Sequence, residues 1–164
     1  MNAAQIHLAL NHAPLFLSAI GAVVLFFGMI KKNDSFKTLA LYFLLGGAIF
    51  TIPVFLTGEG TEELVEHLPG VNENAIEEHE EMAKISLAII AVSGVAALAG
   101  LFVRRNAMIR RWVYTICLLL SLGSFGTMAQ TAHLGGLIRH GEIQNGKSPA
   151  TDKEEPGYDN KDDD

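Results

Sequence analysis

The sequence predicts an all-α integral membrane protein: an antiparallel four-helix transmembrane bundle with a short extra-membrane acidic helix. Three observations predict it. First, charged residues are absent from four long stretches, Ala13–Ile30, Thr38–Leu56, Ile85–Val103 and Trp112–Leu134. Each has about 18–23 residues, the length needed to cross roughly 30 Å of hydrocarbon at 1.5 Å per residue. Second, four helices apolar on every face leave a chain of 164 residues no polar shell to dissolve in water. Third, the two short connections between paired stretches are strongly basic.

The overall composition, 49% hydrophobic and 18% charged, hides this segregation. The length allows one domain, the four-span unit over residues 1–142, with an outer loop at 57–84. The first span reads as a retained helix rather than a cleaved signal peptide. No Lys or Arg precedes it, and Lys31-Lys32 follows where a small-residue cleavage site would stand. Glycines, alanines and serines in the spans (Gly46, Gly47, Ser93, Ala97, Gly100, Ser124) let backbones approach closely, as helices do when lipid supplies no hydrophobic drive between them. Short connections make neighbouring helices antiparallel.

Orientation follows from the basic residues. The first short connection holds Lys31, Lys32 and Lys37, the second Arg104, Arg105, Arg110 and Arg111, together seven of the twelve Lys and Arg residues. The positive-inside rule puts both in the cytoplasm, so both termini and the loop 57–84 face outward. That loop carries nine glutamates and one lysine. Gly58-Glu59-Gly60 is expected to break the second span, with Thr61 capping a short acidic helix over Glu62–His67. Asn74-Ala75-Ile76-Glu77 has capping-box spacing and opens a helix of about 30 residues ending at Val103. The tail 143–164 is polar and acidic, without aliphatic periodicity, and is expected to be disordered.

All six histidines fall on the outer side of this topology. His7 and His12 precede the first span, His67 and His79 lie in the outer loop, and His133 and His140 end the fourth span. On one straight helix His7 and His12 point about 140° apart, so they serve one site only if the chain kinks before Pro14. His79 stands among Glu77, Glu78, Glu80 and Glu81, where a carboxylate could orient its ring as it does for ligating histidines. The glutamates themselves read as a solvated helix start favoured by the macrodipole. His133 and His140 return to one helix face, Gly135-Gly136 either packs closely or breaks the backbone, and Arg139 could pair with a carboxylate, a lipid phosphate or a haem propionate. For each histidine the bland alternative is an interfacial side chain that tolerates the headgroup region.

Histidines from the outer ends of spans one, three and four converge in a four-helix bundle. A histidine-lined gap between helices reads as a site for b-type haem, or for copper or zinc. The candidate ligands are His12, His79, His7 and His140, with Arg139 beside a cofactor. His12 and His79 are expected to form the axial pair, because His12 lies nearer the hydrocarbon than His7. Cys117, the single cysteine, sits within a span and reads as a small buried side chain, which excludes a disulfide within the chain and a cysteine zinc site. No glycine-rich nucleotide loop or nucleophile motif occurs, no ionisable group lies at mid-depth as a transporter requires, and no nucleic-acid partner is expected.

The residues His7-x4-His12-x-Pro14 resemble the HPxxxHFP signature of the small bacterial membrane proteins catalogued as domain of unknown function 2231. Thr57-Gly58 and Leu134-Gly-Gly-Leu-Ile-Arg-His140-Gly141 resemble that family's TG and LGGxLVxxHG segments. The resemblance covers about residues 5–142. The sequence departs from the pattern at Leu8, where proline is usual, at Ala13, where an aromatic is usual, and in the insertion Glu59–His79. The resemblance implies a four-helix bundle whose outward histidines bind b-type haem or a metal. Carried over by position, these are His7, His12 and His140, with His79 as the counterpart in span three; His67 and His133 have no such support.

The functional expectation is a membrane-anchored b-type haem protein passing electrons at the outer face of the inner membrane. It would be a carrier or a subunit of a larger complex rather than a stand-alone enzyme, working with a quinone or a redox protein. The alternative is a non-redox accessory protein that binds copper, zinc or a protein partner through its histidines and acidic loop.

Overall fold

The computed structural model describes residues 2–66, 71–103 and 106–138. Five α-helices follow one another: α1 (Ala3–Leu10), α2 (Ala13–Ile30), α3 (Asp34–Val65), α4 (Glu73–Phe102) and α5 (Ala107–Leu137). Four units are long and apolar enough to cross a membrane, with α1 and α2 together making the first and α3, α4 and α5 the others. Their best windows reach mean hydropathies of 2.3, 2.2, 2.4 and 1.5, so the last span is the most polar. Arg139, His67, His140 and the acidic tail lie outside the described residues.

The long helices form a four-sided bundle. α2 packs on α3 and α5, and α4 packs on the same two, while α3 and α5 scarcely meet across the diagonal. The short α1 lies against α3. Which side chains face inward marks the solvent as lipid. The inner stripe of α2 is Pro14, Ser18, Gly21, Ala22, Leu25 and Gly28, spaced by three or four residues. Ser18, Thr51, Ser86, Ser93, Ser121 and Ser124 are buried, whereas Phe16, Val23, Phe27, Ile52 and Leu119 face outward. Small polar residues inside and large apolar ones outside is the arrangement expected where association depends on close backbone contact. At Gly94 the approach is so close that an added Cβ would run into that of Ala48.

The turn between α2 and α3 takes three residues, Lys31, Lys32 and Asn33. Lys32 adopts a positive φ of 53°, and the Asn33 N–H reaches back to the Gly28 carbonyl at 2.9 Å, satisfying carbonyls at the end of α2. The Asn33 side chain then caps α3 by accepting from the Phe36 N–H.

Two sequence expectations about the outer loop are corrected. The acidic segment is not a separate helix: α3 runs unbroken through Gly58-Glu59-Gly60 to Val65. Thr61 is inside that helix, its hydroxyl donating to the Thr57 carbonyl at 2.7 Å. The cap of α4 is Asn72 rather than Asn74. Its side chain accepts from the Ala75 N–H, and its own N–H donates to the Ile138 carbonyl at 3.0 Å. That last bond ties the start of α4 to the end of α5, where Ala75, Leu134 and Leu137 form a small core with Met82 and Ile138 against it.

The hydroxyls of Ser93 and Ser124 are buried without a hydrogen-bond partner. A buried unsatisfied polar group costs roughly 1–3 kcal/mol. Ser124→Ala is therefore expected to raise the unfolding temperature of the detergent-purified protein by a few degrees. An unchanged or lower midpoint would show that the hydroxyl has a partner, such as an enclosed water.

Candidate functional site

The site begins with the short helix α1. Asn2 and Gln5 form a reciprocal cap, the Asn2 side chain accepting from the Gln5 N–H at 2.9 Å and the Gln5 side chain from the Asn2 N–H at 3.1 Å. The helix ends at Leu10, and α2 begins at Ala13 with Pro14 in its first turn, where a missing N–H costs nothing. The break at Asn11-His12 frees α1 from the direction of α2, and α1 settles on the outer end of α3. Gly60 permits the contact, since an added Cβ there would stand 3.1 Å from the Ala3 Cβ.

This docking delivers His7 to α3. Its Nδ1–H donates to the Val54 carbonyl at 2.9 Å, and the ring lies over Gly58, whose added Cβ would be 3.7 Å from Cε1. The same arrangement recurs in the other half of the molecule. His79, near the start of α4, donates its Nδ1–H to the Thr131 carbonyl of α5 at 2.8 Å. Its ring lies over Gly135, where an added Cβ would come within 3.1 Å of Cε1 and 3.2 Å of Nδ1. In each half the accepting carbonyl stands four residues before the glycine under the ring: Val54 before Gly58, Thr131 before Gly135.

Threonines reinforce both acceptor helices. The Thr57 hydroxyl donates to the Pro53 carbonyl at 2.7 Å. The Thr131 hydroxyl donates to the Thr127 carbonyl at 2.9 Å and also meets the Ser86 hydroxyl of α4 at 2.9 Å. Ser86 is fully buried, so this pair pins α4 to α5 two turns below His79.

The chemical consequence lies in the tautomer. A carbonyl only accepts, so each Nδ1 carries a proton, and in the neutral ring the lone pair is left on Nε2. Ligating histidines are held in this way by a hydrogen bond at the other ring nitrogen. Both rings are half-buried, and they lie within electrostatic reach of each other. The arrangement offers two oriented imidazoles, one from each half of the bundle. Among the described residues no group of three or more His, Cys, Asp or Glu side chains is arranged to hold a metal ion.

The other sequence candidates are placed differently. His12 is exposed at the start of α2, its Nδ1 against the Asn11 side-chain oxygen and its ring stacked on Phe16 at 6.5 Å. The expectation that His12 is better buried than His7 is thus reversed, and His7 is the histidine brought towards His79. His133 is exposed. Among the described residues no carboxylate orients His79: the Thr131 carbonyl does so, and Glu77, Glu78, Glu80 and Glu81 are exposed, with Glu80 paired to Lys84 at 2.8 Å. Met82, which shares a helix face with His79, packs into the small core against Leu134 and Leu137.

Sequence reasoning did not find Val54, Thr131 or Ser86 as supports. The signal it had was the position of Gly58 and Gly135 at the outer ends of spans two and four. A glycine at such a place marks a spot where something approaches the helix backbone.

A family model described as "Predicted membrane protein (DUF2231)" matches residues 3–141. No curated protein matches the chain, and no solved structure does.

Proposed function

The chain belongs to the DUF2231 family of predicted membrane proteins, and on that footing we propose that it is a b-type haem protein that carries electrons at the outer face of the bacterial inner membrane. One observation carries the reading: His7 and His79 each have Nδ1–H committed to a backbone carbonyl and Nε2 free to ligate. Two imidazole nitrogens are a donor set that would suit haem iron, whereas structural zinc calls for four ligands. His7 and His79 would hold the iron, and the group supplies one-electron transfer when bound.

The protein's own residues perform the remaining work. The Val54 and Thr131 carbonyls fix each ring and raise the basicity of its free nitrogen. Gly58 and Gly135 let the rings lie close to the helix backbones. Leu134, Leu137 and Met82 exclude water below His79. The fourfold glutamate run on α4 stays at the surface, where a redox partner would meet it.

The test is the absorption spectrum of the protein purified from cells supplied with ample haem. A Soret band with reduced α and β bands typical of two nitrogen ligands is expected. A protein without a Soret band that retains copper or zinc by elemental analysis would instead support the accessory metal-binding role. The orientation has its own check, motivated by the basic residues of the two short connections. A reporter active only outside the cytoplasm should be active when fused at residue 150 and silent when inserted beside Asp34. The reverse pattern would move both histidines to the cytoplasmic side.

A further inference from the structure

The end of the bundle opposite the histidines holds a cavity of about 590 Å³ between α2 and α5. Its deeper wall is apolar, with Phe26 and Ile30 from α2 and Leu118 from α5. Its rim is cationic, with Lys32, Lys37, Arg110 and Arg111. Only one acid stands beside them. Asp34 meets the Lys37 ammonium at 2.8 Å with one oxygen and the Arg110 guanidinium at 3.9 Å with the other. Among the described residues, no acidic group pairs with Lys32 or Arg111.

The position of the arginines sharpens the imbalance. α5 begins at Ala107, one of the lining residues, with no acidic residue in its first turn. Arg110 and Arg111 therefore add positive charge at the positive end of a helix dipole, where an anion is the stabilising partner. Lys37 adds a third cation, held 5.6 Å from the centre of the Tyr114 ring. The volume lies in the range of small-molecule sites, and the apolar wall lies in the segment facing hydrocarbon. Basic pockets between transmembrane helices at the membrane surface take up anionic lipid headgroups.

We propose that this cavity binds one anionic phospholipid, its phosphate among Lys32, Arg110 and Arg111 and an acyl chain along Phe26 and Leu118. A zwitterionic lipid would bring an additional cation into an already cationic rim, and a free phosphate would leave the apolar wall unused. The site therefore selects for a net negative headgroup on a hydrophobic tail.

Native mass spectrometry of the full chain in mild detergent tests this, with phosphatidylglycerol, phosphatidylcholine and glycerol phosphate as the added molecules. A one-to-one adduct with phosphatidylglycerol is expected at roughly a tenth of the concentration needed for phosphatidylcholine, with none for glycerol phosphate. Lys32→Asn suits the left-handed backbone there, and combined with Arg111→Gln it should weaken the phosphatidylglycerol adduct about five-fold for each charge removed. Arg111→Lys should keep the adduct, and the helix content of each variant by circular dichroism should match the wild type. Equal binding of the two lipids, retention of the adduct in the double variant, equal binding of glycerol phosphate, or a second copy of the chain in place of lipid would each overturn the proposal.

Discussion

His79→Ala and His7→Ala are each expected to eliminate the Soret band of the purified protein, while His12→Ala leaves it intact. Loss of an orienting hydrogen-bond partner alone typically lowers metal affinity about 10–100-fold, and loss of the ligand itself goes beyond that. The contrast among the three follows from their surroundings. His7 and His79 are half-buried with Nδ1 engaged by a neighbouring helix, whereas His12 is exposed, beside Asn11 and Phe16. Removing either ring takes no large apolar group from the bundle, so helix content should be unchanged. Adding free imidazole to His79→Ala should restore the band, because the lost group is a single nitrogen donor. A His12→Ala protein without haem beside a His7→Ala protein that keeps it would return the site to the other histidine and overturn the assignment.

The second large effect comes from two adjacent glycines with different surroundings. An added Cβ at Gly135 would press on the His79 ring at 3.1 Å, whereas one at Gly136 would meet nothing within 4 Å. Gly135→Val is expected to push the ring off the Thr131 carbonyl and lower haem affinity roughly 10–100-fold, the usual cost of losing the orienting bond. Gly136→Val should leave the affinity unchanged. Both substitutions remove a glycine from the last turns of α5, so their effects on helix propensity are similar, and the difference between them isolates the contact with His79. Equal loss in both would mean that the helix end, rather than the ring contact, controls binding.

The spans were legible because their signal is long and redundant. Eighteen or more uncharged residues admit few structures, and the serines and glycines recur at spacings that make an inner stripe. The placement of His79 against a neighbouring helix has a related cause: helix ends on one side of a bundle converge wherever the caps fall. The expectation that His12 is the better buried of the two fails because distance along the chain does not measure depth. The break at Asn11-His12 turns α1 back against α3, and that docking buries His7 while leaving His12 at a helix start.

Gly58-Glu59-Gly60 misled in the opposite direction. Two glycines in three residues cost about 1 kcal/mol each in a helix interior, which is why they read as a break. Here they are contact surfaces, Gly58 beneath His7 and Gly60 beneath Ala3, and the docking of α1 offsets their cost. A glycine that terminates a helix and a glycine that receives a neighbour have the same letter. Only the partner distinguishes them, and the partner is more than forty residues away. The backbone carbonyls that hold the two rings were out of reach for the same reason, since every residue has one and sequence does not say which is visited.

Because one imidazole comes from the first helical hairpin and the other from the second, occupancy of the site couples to assembly by linkage. A hairpin of α2 and α3 can enter the bilayer during synthesis without waiting for α4 and α5, but it carries half of the donor pair. A ligand held by both rings binds only the completed bundle, and at a hundred times its dissociation constant it adds about 2.7 kcal/mol to the cohesion of the two hairpins. Were the proposed ligand bound there, the apoprotein would be the more easily dissociated form, exposed to quality-control proteolysis until loaded, and the cellular supply of the ligand would set how much of the protein accumulates.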